Sequence, residues 1–300
     1  MPVNQTRSAH RPAPARVQRS PMENLRRFLR TPKGSVLWVL VALVAIAMVG
    51  TQRHTLPNVL AGTAGAALID LVLASWRKKP VGFPSGAVIS GLIVSMVLAR
   101  ETPVYVPLVV GALAVIGKHA LRTRWSNVFN PAALALIVGG FMFRTGQSWW
   151  GALPYDGFLG FAAVLAGGAY IAAKVNKLPL GLAYLATTVV AFTIASFTGA
   201  NAQVAQVFRA PDINALVFFA ALMLTDPPSS PAKREDQIWF GSLAGALAVL
   251  IFLSTGVQWF IFGGLPVANL VESLRRIGAR RIHLATRAAP APRRATAAGE

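Results

Sequence analysis

The sequence predicts an all-α polytopic membrane protein of about ten transmembrane helices, and three observations carry that reading. Mean hydropathy is +0.54 over 300 residues with only 13% charged, far more apolar surface than one soluble core could hide. Apolar residues gather into ten segments, near 35 to 50, 56 to 76, 84 to 99, 103 to 117, 131 to 143, 157 to 173, 179 to 197, 213 to 225, 238 to 254 and 257 to 273. Basic residues then fall almost wholly into alternate gaps between those segments.

The third observation fixes orientation. Counting alternate gaps from the N-terminus puts 25 basic residues on one side and only Arg53, Arg100, Arg144 and Arg209 on the other. Positive charge collects on the cytoplasmic side of membrane proteins, so both termini are expected in the cytoplasm of a bacterium, with the chain in its inner membrane. The bilayer is the first partner. The net charge of +19 would suggest nucleic acid in a soluble protein, but no aromatic-interleaved basic surface accompanies it, and no nucleic-acid partner is expected.

Residues 1–34 are basic and rich in proline, and are expected to be disordered as far as a short amphipathic piece, Met22 to Arg30. Residues 35–273 form the membrane domain. Residues 274–300 form a basic tail rich in Ala and Pro, also expected to be disordered. Several segments are shorter than the ~20 residues that cross a bilayer squarely, notably 84 to 99, 131 to 143 and 213 to 225, which are candidates for broken or re-entrant elements. Trp149, Trp150, Tyr155, Trp259 and Phe260 fall in gaps on the outer side, where an aromatic belt is expected.

Ten segments divide as five plus five, and an odd number per half turns the second half upside down relative to the first. This is the logic of inverted repeats, which place sites where helices are interrupted. Phe129-Asn130-Pro131-Ala132 opening the fifth segment has a faint echo in Pro266-Val267-Ala268-Asn269 at the tenth. Small residues such as Gly62, Gly65, Gly241 and Gly245 are read as close helix contacts.

Three polar interruptions on the cytoplasmic side are the candidate site. Ser85 and Gly86 follow Pro84, so backbone N–H groups could face a ligand there. Asn127 and Asn130 precede Pro131 at a helix start. Thr225 and Asp226 precede Pro227, which ends a helix and leaves a carboxylate at membrane depth, costly unless it is paired, hydrated or used. The plain alternative for each is capping and turn formation. Asp70 is the other acid in an apolar segment, read either as a snorkelling partner of Arg77, Lys78 and Lys79 or as a cation or proton site. Lys118 and His119 are read as marking the inner end of the fourth segment. With no cysteine, disulfides and cysteine-ligated iron–sulfur clusters are excluded, and any redox role needs a bound organic cofactor. No P-loop, zinc-protease motif or nucleophile elbow is present, and soluble-type enzymology is not expected from this chain alone.

On Ser85-Gly86-Ala87 with Gly91-Leu92, Asn127-Val128-Phe129-Asn130-Pro131-Ala132, and Leu224-Thr225-Asp226-Pro227 with Phe240-Gly241-Ser242-Leu243-Ala244-Gly245, the sequence resembles the D-type membrane component of the Rnf electron-transport complex and its homologue, the B-type component of the sodium-translocating NADH:quinone reductase. The resemblance implies a membrane subunit that binds flavin, works beside other membrane or redox subunits and passes electrons coupled to ion movement. It also implies a fold similar to urea-transporter-like proteins. Such proteins esterify FMN to a threonine in an Asp-Gly-x-x-Ser-x-Ala-Thr type motif. Here the nearest stretches are Asp156-Gly157-Phe158-Leu159-Gly160-Phe161-Ala162-Ala163 and Phe197-Thr198-Gly199-Ala200-Asn201, neither with the acceptor hydroxyl in place. Covalent FMN is therefore not expected, and non-covalent FMN or riboflavin is the cofactor left open. A small-solute channel or transporter, or a scaffold for an oxidoreductase partner, are the alternatives.

Overall fold

A computed structural model describes residues 21–50, 52–78, 82–123, 126–199, 203–256 and 260–288. The disorder expected of residues 1–20 and 289–300, and the expectations for Lys79, Arg124, Asn201 and Trp259, lie outside the described residues. The described residues form eleven α-helices and no strand. They are α1 (Pro21–Leu29), α2 (Pro32–Val49), α3 (Leu56–Trp76), α4 (Ser85–Val97), α5 (Tyr105–Ala120), α6 (Pro131–Phe143), α7 (Gly157–Lys174), α8 (Leu178–Phe197), α9 (Asp212–Phe218, continued by a π turn over Phe219–Met223), α10 (Arg234–Thr255) and α11 (Phe260–Ala288). The ten expected segments are α2 to α11, and the amphipathic piece is α1.

Prolines set many of the starts. Pro32, Pro57, Pro131 and Pro179 each stand in the first turn of a helix, where the missing N–H has no partner to lose. Thr31 caps α2 by accepting the Gly34 N–H at 3.1 Å, and Asn130 caps α6 by accepting the Ala133 N–H at 3.0 Å.

Length sorts the helices into two kinds. Five apolar helices of 18 residues or more, α2, α3, α7, α8 and α10, keep most of their spanning windows on the protein surface. By contrast α4 has only 13 residues, about 20 Å of helix, and nine of them are buried, while α9 and its π turn are buried from Asn214 to Met223. Short helices that cannot reach across a ~30 Å hydrocarbon core are held inside a wall of long ones that can. The bundle is therefore a polytopic membrane protein with interrupted elements at its centre.

The packing repeats between halves. The tightest pairings are α3 with α5 and α8 with α10, the second-with-fourth helix of each set of five, and α5–α6 matches α10–α11 in the same way. The first helices of each set, α2 and α7, also touch each other, as do the last, α6 and α11. Glycines make these contacts close. A Cβ on Gly111 would lie 2.2 Å from the Gly62 carbonyl, and one on Gly241 would lie 2.4 Å from the Leu180 carbonyl.

Four expectations are corrected. Trp149 and Trp150 are 3% and 1% exposed, and Phe260 is 0% exposed, so they do not form an interfacial belt. The chain between α6 and α7 folds back into the bundle, where the Trp150 indole N–H donates to the Ser95 carbonyl at 2.9 Å and Trp149 packs on Phe218 and Phe262. Phe260 stacks edge-on against Phe192 and Phe252. Of the described aromatics in that set only Tyr155 is exposed, beneath the Arg100 guanidinium at 4.6 Å. Pro266 lies inside α11 rather than opening it, and α11 does not stop at residue 273 but runs on to Ala288. Its continuation is held where Arg275 and Arg276 clamp buried Glu272 at 2.8 and 2.7 Å and Arg275 reaches Asp236 at 2.6 Å. Finally, among the described residues Asp70 pairs directly with neither Arg77 nor Lys78 of its own helix end. It accepts from His119 Nε2 at 3.2 Å, and Arg77 reaches the other ring nitrogen of His119 at 2.8 Å.

Candidate functional site: a cavity where three interruptions converge

The π turn is the keystone of the site. Leu224 N–H donates to the Phe219 carbonyl at 2.9 Å, five residues back, and the helix ends just beyond this wider turn, where the Met223 carbonyl accepts only a long backbone bond, from the Asp226 N–H at 3.3 Å. Asn130 takes it up: its Nδ2 donates to Met223 O at 2.7 Å, while its own N–H donates to Asn269 Oδ1 at 3.1 Å. One buried asparagine thus caps α6, ends α9 and joins α11.

Beyond the π turn the chain folds into a compact loop. Thr225 turns its hydroxyl back to the Ala221 carbonyl at 2.6 Å, and Ser229 donates its hydroxyl to the Asp226 carboxylate at 2.8 Å. Ser230 donates to the Asp226 carbonyl from both its N–H, at 3.1 Å, and its hydroxyl, at 2.8 Å. The loop is pinned from outside as well. Asn269 Nδ2 donates to Ser229 O at 3.0 Å, Arg276 to Ser230 O at 2.7 Å, and Lys177 to the carbonyls of Ser230 and Pro231. Lys177 is buried, and desolvation with Arg276 nearby lowers its pKa to about 8.

These elements enclose a cavity of about 840 Å³. Gly86, Asn127, Asn130, Thr225 and Asp226 all line it, so five of the six sequence-derived residues share one hollow. Ser85 does not; it opens α4 just outside the wall. Asn130 is 4% and Thr225 2% exposed, which places the polar edge deep rather than at the rim. The rest of the wall is mostly apolar, with Phe28, Val36, Ile89, Ile93, Ile171 and Leu222. A concave apolar chamber of this size with a few fixed polar groups is the usual form of a small-molecule or cofactor site.

Sequence reasoning missed several of its members. Lys118, read as a boundary marker, turns inward, and a Cβ on Gly86 would sit 3.0 Å from its Nζ. The signal was helical phase: adjacent residues on one helix point about 100° apart, so Lys118 faces the cavity while His119 faces Asp70. Lys33 and Arg122 line the same chamber, and Phe28 of α1 reaches into it while packing edge-on against Phe83 at 5.8 Å. Asn269, noted only as an echo, supplies the bond that closes the polar end.

Fold and site together define a membrane-embedded bundle of two five-helix halves with a ligand-sized chamber between their interrupted elements. The sequence model of the NQR2, RnfD, RnfE family matches residues 16–162 and 157–259, and the chain belongs to that family. It is accordingly a membrane subunit of Rnf/Nqr type. Comparison with curated proteins found no match.

Proposed function

We infer that this chain is the electron-carrying membrane subunit of an ion-coupled oxidoreductase, and that the chamber holds a flavin, FMN or riboflavin, without a covalent bond. The observation that carries the reading is the convergence of three separately interrupted stretches on one chamber of about 840 Å³, in a chain of this family. A flavin ring is flat and apolar on its faces and has an edge of alternating carbonyls and an imide N–H. The chamber offers matching chemistry: aliphatic and aromatic walls, with the Asn127 amide and the Asp226 carboxyl at the polar end. Bound there, the ring would supply one- and two-electron transfer in a chain whose lack of cysteine rules out a dithiol redox pair.

The chain's own part is binding and orientation. Asn130 has its carbonyl and amide committed to Ala133 and Met223, so it acts as a rigid brace for the wall. Asp226 is held by Ser229 and is placed to accept a hydrogen bond or balance a cation. Ala163, in α7, stands where an acceptor hydroxyl would be needed for a phosphoester, which supports a non-covalent mode. Basic residues facing the cavity side, among them Lys33, Lys118, Lys177 and Arg276, support a cytoplasmic position for that side in the bacterial inner membrane, with partner subunits docking there.

A solute channel on the same fold would need a through path. Beyond Ile93 and Leu222 the centre is filled by Met96, Trp150 and Phe218, each 1% exposed or less, which weighs against a pore. The test is a visible absorption spectrum of the purified full-length protein, followed by acid precipitation. The expected result is flavin bands with all flavin released into the supernatant; a colourless protein that binds neither FMN nor riboflavin on titration refutes the reading.

A further inference from the structure

The chamber has an unbalanced wall. Three of the four charged side chains lining it are basic, Lys33, Lys118 and Arg122, and the fourth is Asp226, already engaged by Ser229. Lys118 lies within electrostatic reach of Asp70, Lys33, Asp226 and Arg122, yet among the described residues its ammonium makes no hydrogen bond or ion pair. Asp70, the acid that could have served it, is bonded to His119 instead. Among the described residues no acceptor meets this half-buried ammonium, so its desolvation is offset only by the more distant charges of Asp70 and Asp226. Meanwhile the absence of a side chain at Gly86 leaves the ammonium room against the first turn of α4.

We propose that this wall is an anion subsite, with Lys118 as its inner contact and Lys33 and Arg122 at its rim, built for a phosphate group. This deepens the cofactor reading of the same chamber. The phosphate could belong to FMN, to free phosphate or to a phospholipid headgroup, all of which present the same oxygens to Lys118. A bound phosphate would accept from the ammonium and from the guanidinium, replacing the missing partners with charge-assisted bonds.

The test uses the full-length protein in zwitterionic nanodiscs. Inorganic phosphate at millimolar concentration, compared with chloride at matched ionic strength, is expected to raise the melting temperature of the parent protein. Lys118→Met and, at the exposed rim, Arg122→Gln are expected to shrink that rise. In a second arm FMN is expected to bind at least tenfold more tightly than riboflavin, and Lys118→Met to close that gap. Loss of the phosphate effect in nanodiscs containing phosphatidylglycerol would assign the natural anion to lipid. Equal binding of FMN and riboflavin with no stabilisation by phosphate overturns the subsite and leaves the flavin reading standing. Stabilisation by phosphate with no flavin binding does the reverse.

Discussion

The backbone N–H of Asn130 and the side-chain carbonyl of Asn269 meet at 3.1 Å, joining the sixth and eleventh helices at the polar end of the chamber. The two residues hold the loop from opposite sides, Asn130 through the Met223 carbonyl and Asn269 through the Ser229 carbonyl. Losing the Asn269 side chain leaves the buried Asn130 N–H and Ser229 carbonyl without those partners, and losing that of Asn130 takes the cap from Ala133 and leaves the Met223 carbonyl only its long bond from the Asp226 N–H at 3.3 Å.

That sets the first prediction. Asn130→Asp keeps an acceptor for the Ala133 N–H, but turns a carboxylate oxygen toward the Met223 carbonyl where an N–H had donated. The loss of one buried bond and the new repulsion should cost about 2–4 kcal/mol, against the ~1 kcal/mol of an ordinary cap deletion. Thermal melts in detergent should show Asn130→Asp falling further than Thr31→Ala, a cap at the exposed end of α2. Equal losses would mean that Asn130 is only a cap.

The second prediction concerns the glycine contacts. Gly111→Ala would place a methyl 2.2 Å from the Gly62 carbonyl, a backbone atom that cannot swing aside, so α3 and α5 must separate. Overpacking of this kind costs about 1–3 kcal/mol. Gly82→Ala, with nothing within 4 Å of the added carbon, is the control and should melt with the parent protein. If both variants melt alike, the α3–α5 contact is looser than these distances imply.

Lys177 gives a prediction in pH. Its folded pKa of about 8 lies below the ordinary lysine value of 10.5 because burial and Arg276 disfavour the charged form. Between those two values the unfolded chain holds the proton and the folded chain has released it, so stability rises with pH across about 8 to 10.5; below 8 both states are charged and the burial cost is present in full. Lys177→Met removes this dependence along with the bonds to Ser230 and Pro231. The melting temperature of the parent protein relative to Lys177→Met should therefore climb from pH 7.5 to pH 10. A difference that stays flat over that range would show that the carbonyls keep the ammonium charged.

Most of the fold was legible in the sequence because bilayer crossing leaves a strong local mark. Runs of apolar residues broken at Pro131 and Asp226 placed the spanning segments within a few residues, apart from the far end of α11, and Pro227 beside Asp226 marked the interruption that anchors the site. Position relative to the core was not legible in the same way. Trp149 and Trp150 look like an interfacial belt by composition, and only the folding-back of their loop shows that they fill the centre. Lys118 and Asn269 were hidden for a related reason: one sits at a segment end where lysine is commonplace, and the other follows Pro266 in a helix that the proline does not break.

The last prediction separates use from architecture at Asp226. Every bond that Asp226 itself gives the loop runs through its backbone or through one carboxyl oxygen: its carbonyl accepts from Ser229 and Ser230, and its Oδ2 accepts from the Ser229 hydroxyl at 2.8 Å. Asp226→Asn retains an oxygen for Ser229 and leaves all the backbone bonds in place, so the melting temperature should move by no more than a few degrees. Only the negative charge is lost, and with it the chamber's one acidic group facing Lys33, Lys118 and Arg122. If that charge serves the ligand, flavin retention or electron transfer in the assembled complex should fall by tenfold or more while the protein still inserts and folds. Asp226→Ala is the companion variant, since it removes the Ser229 bond as well and should lower both stability and activity. Full electron transfer by Asp226→Asn would take the carboxylate out of the site and leave it as a loop fastener, whereas a collapse of folding in Asp226→Asn would show that the charge holds the bundle together.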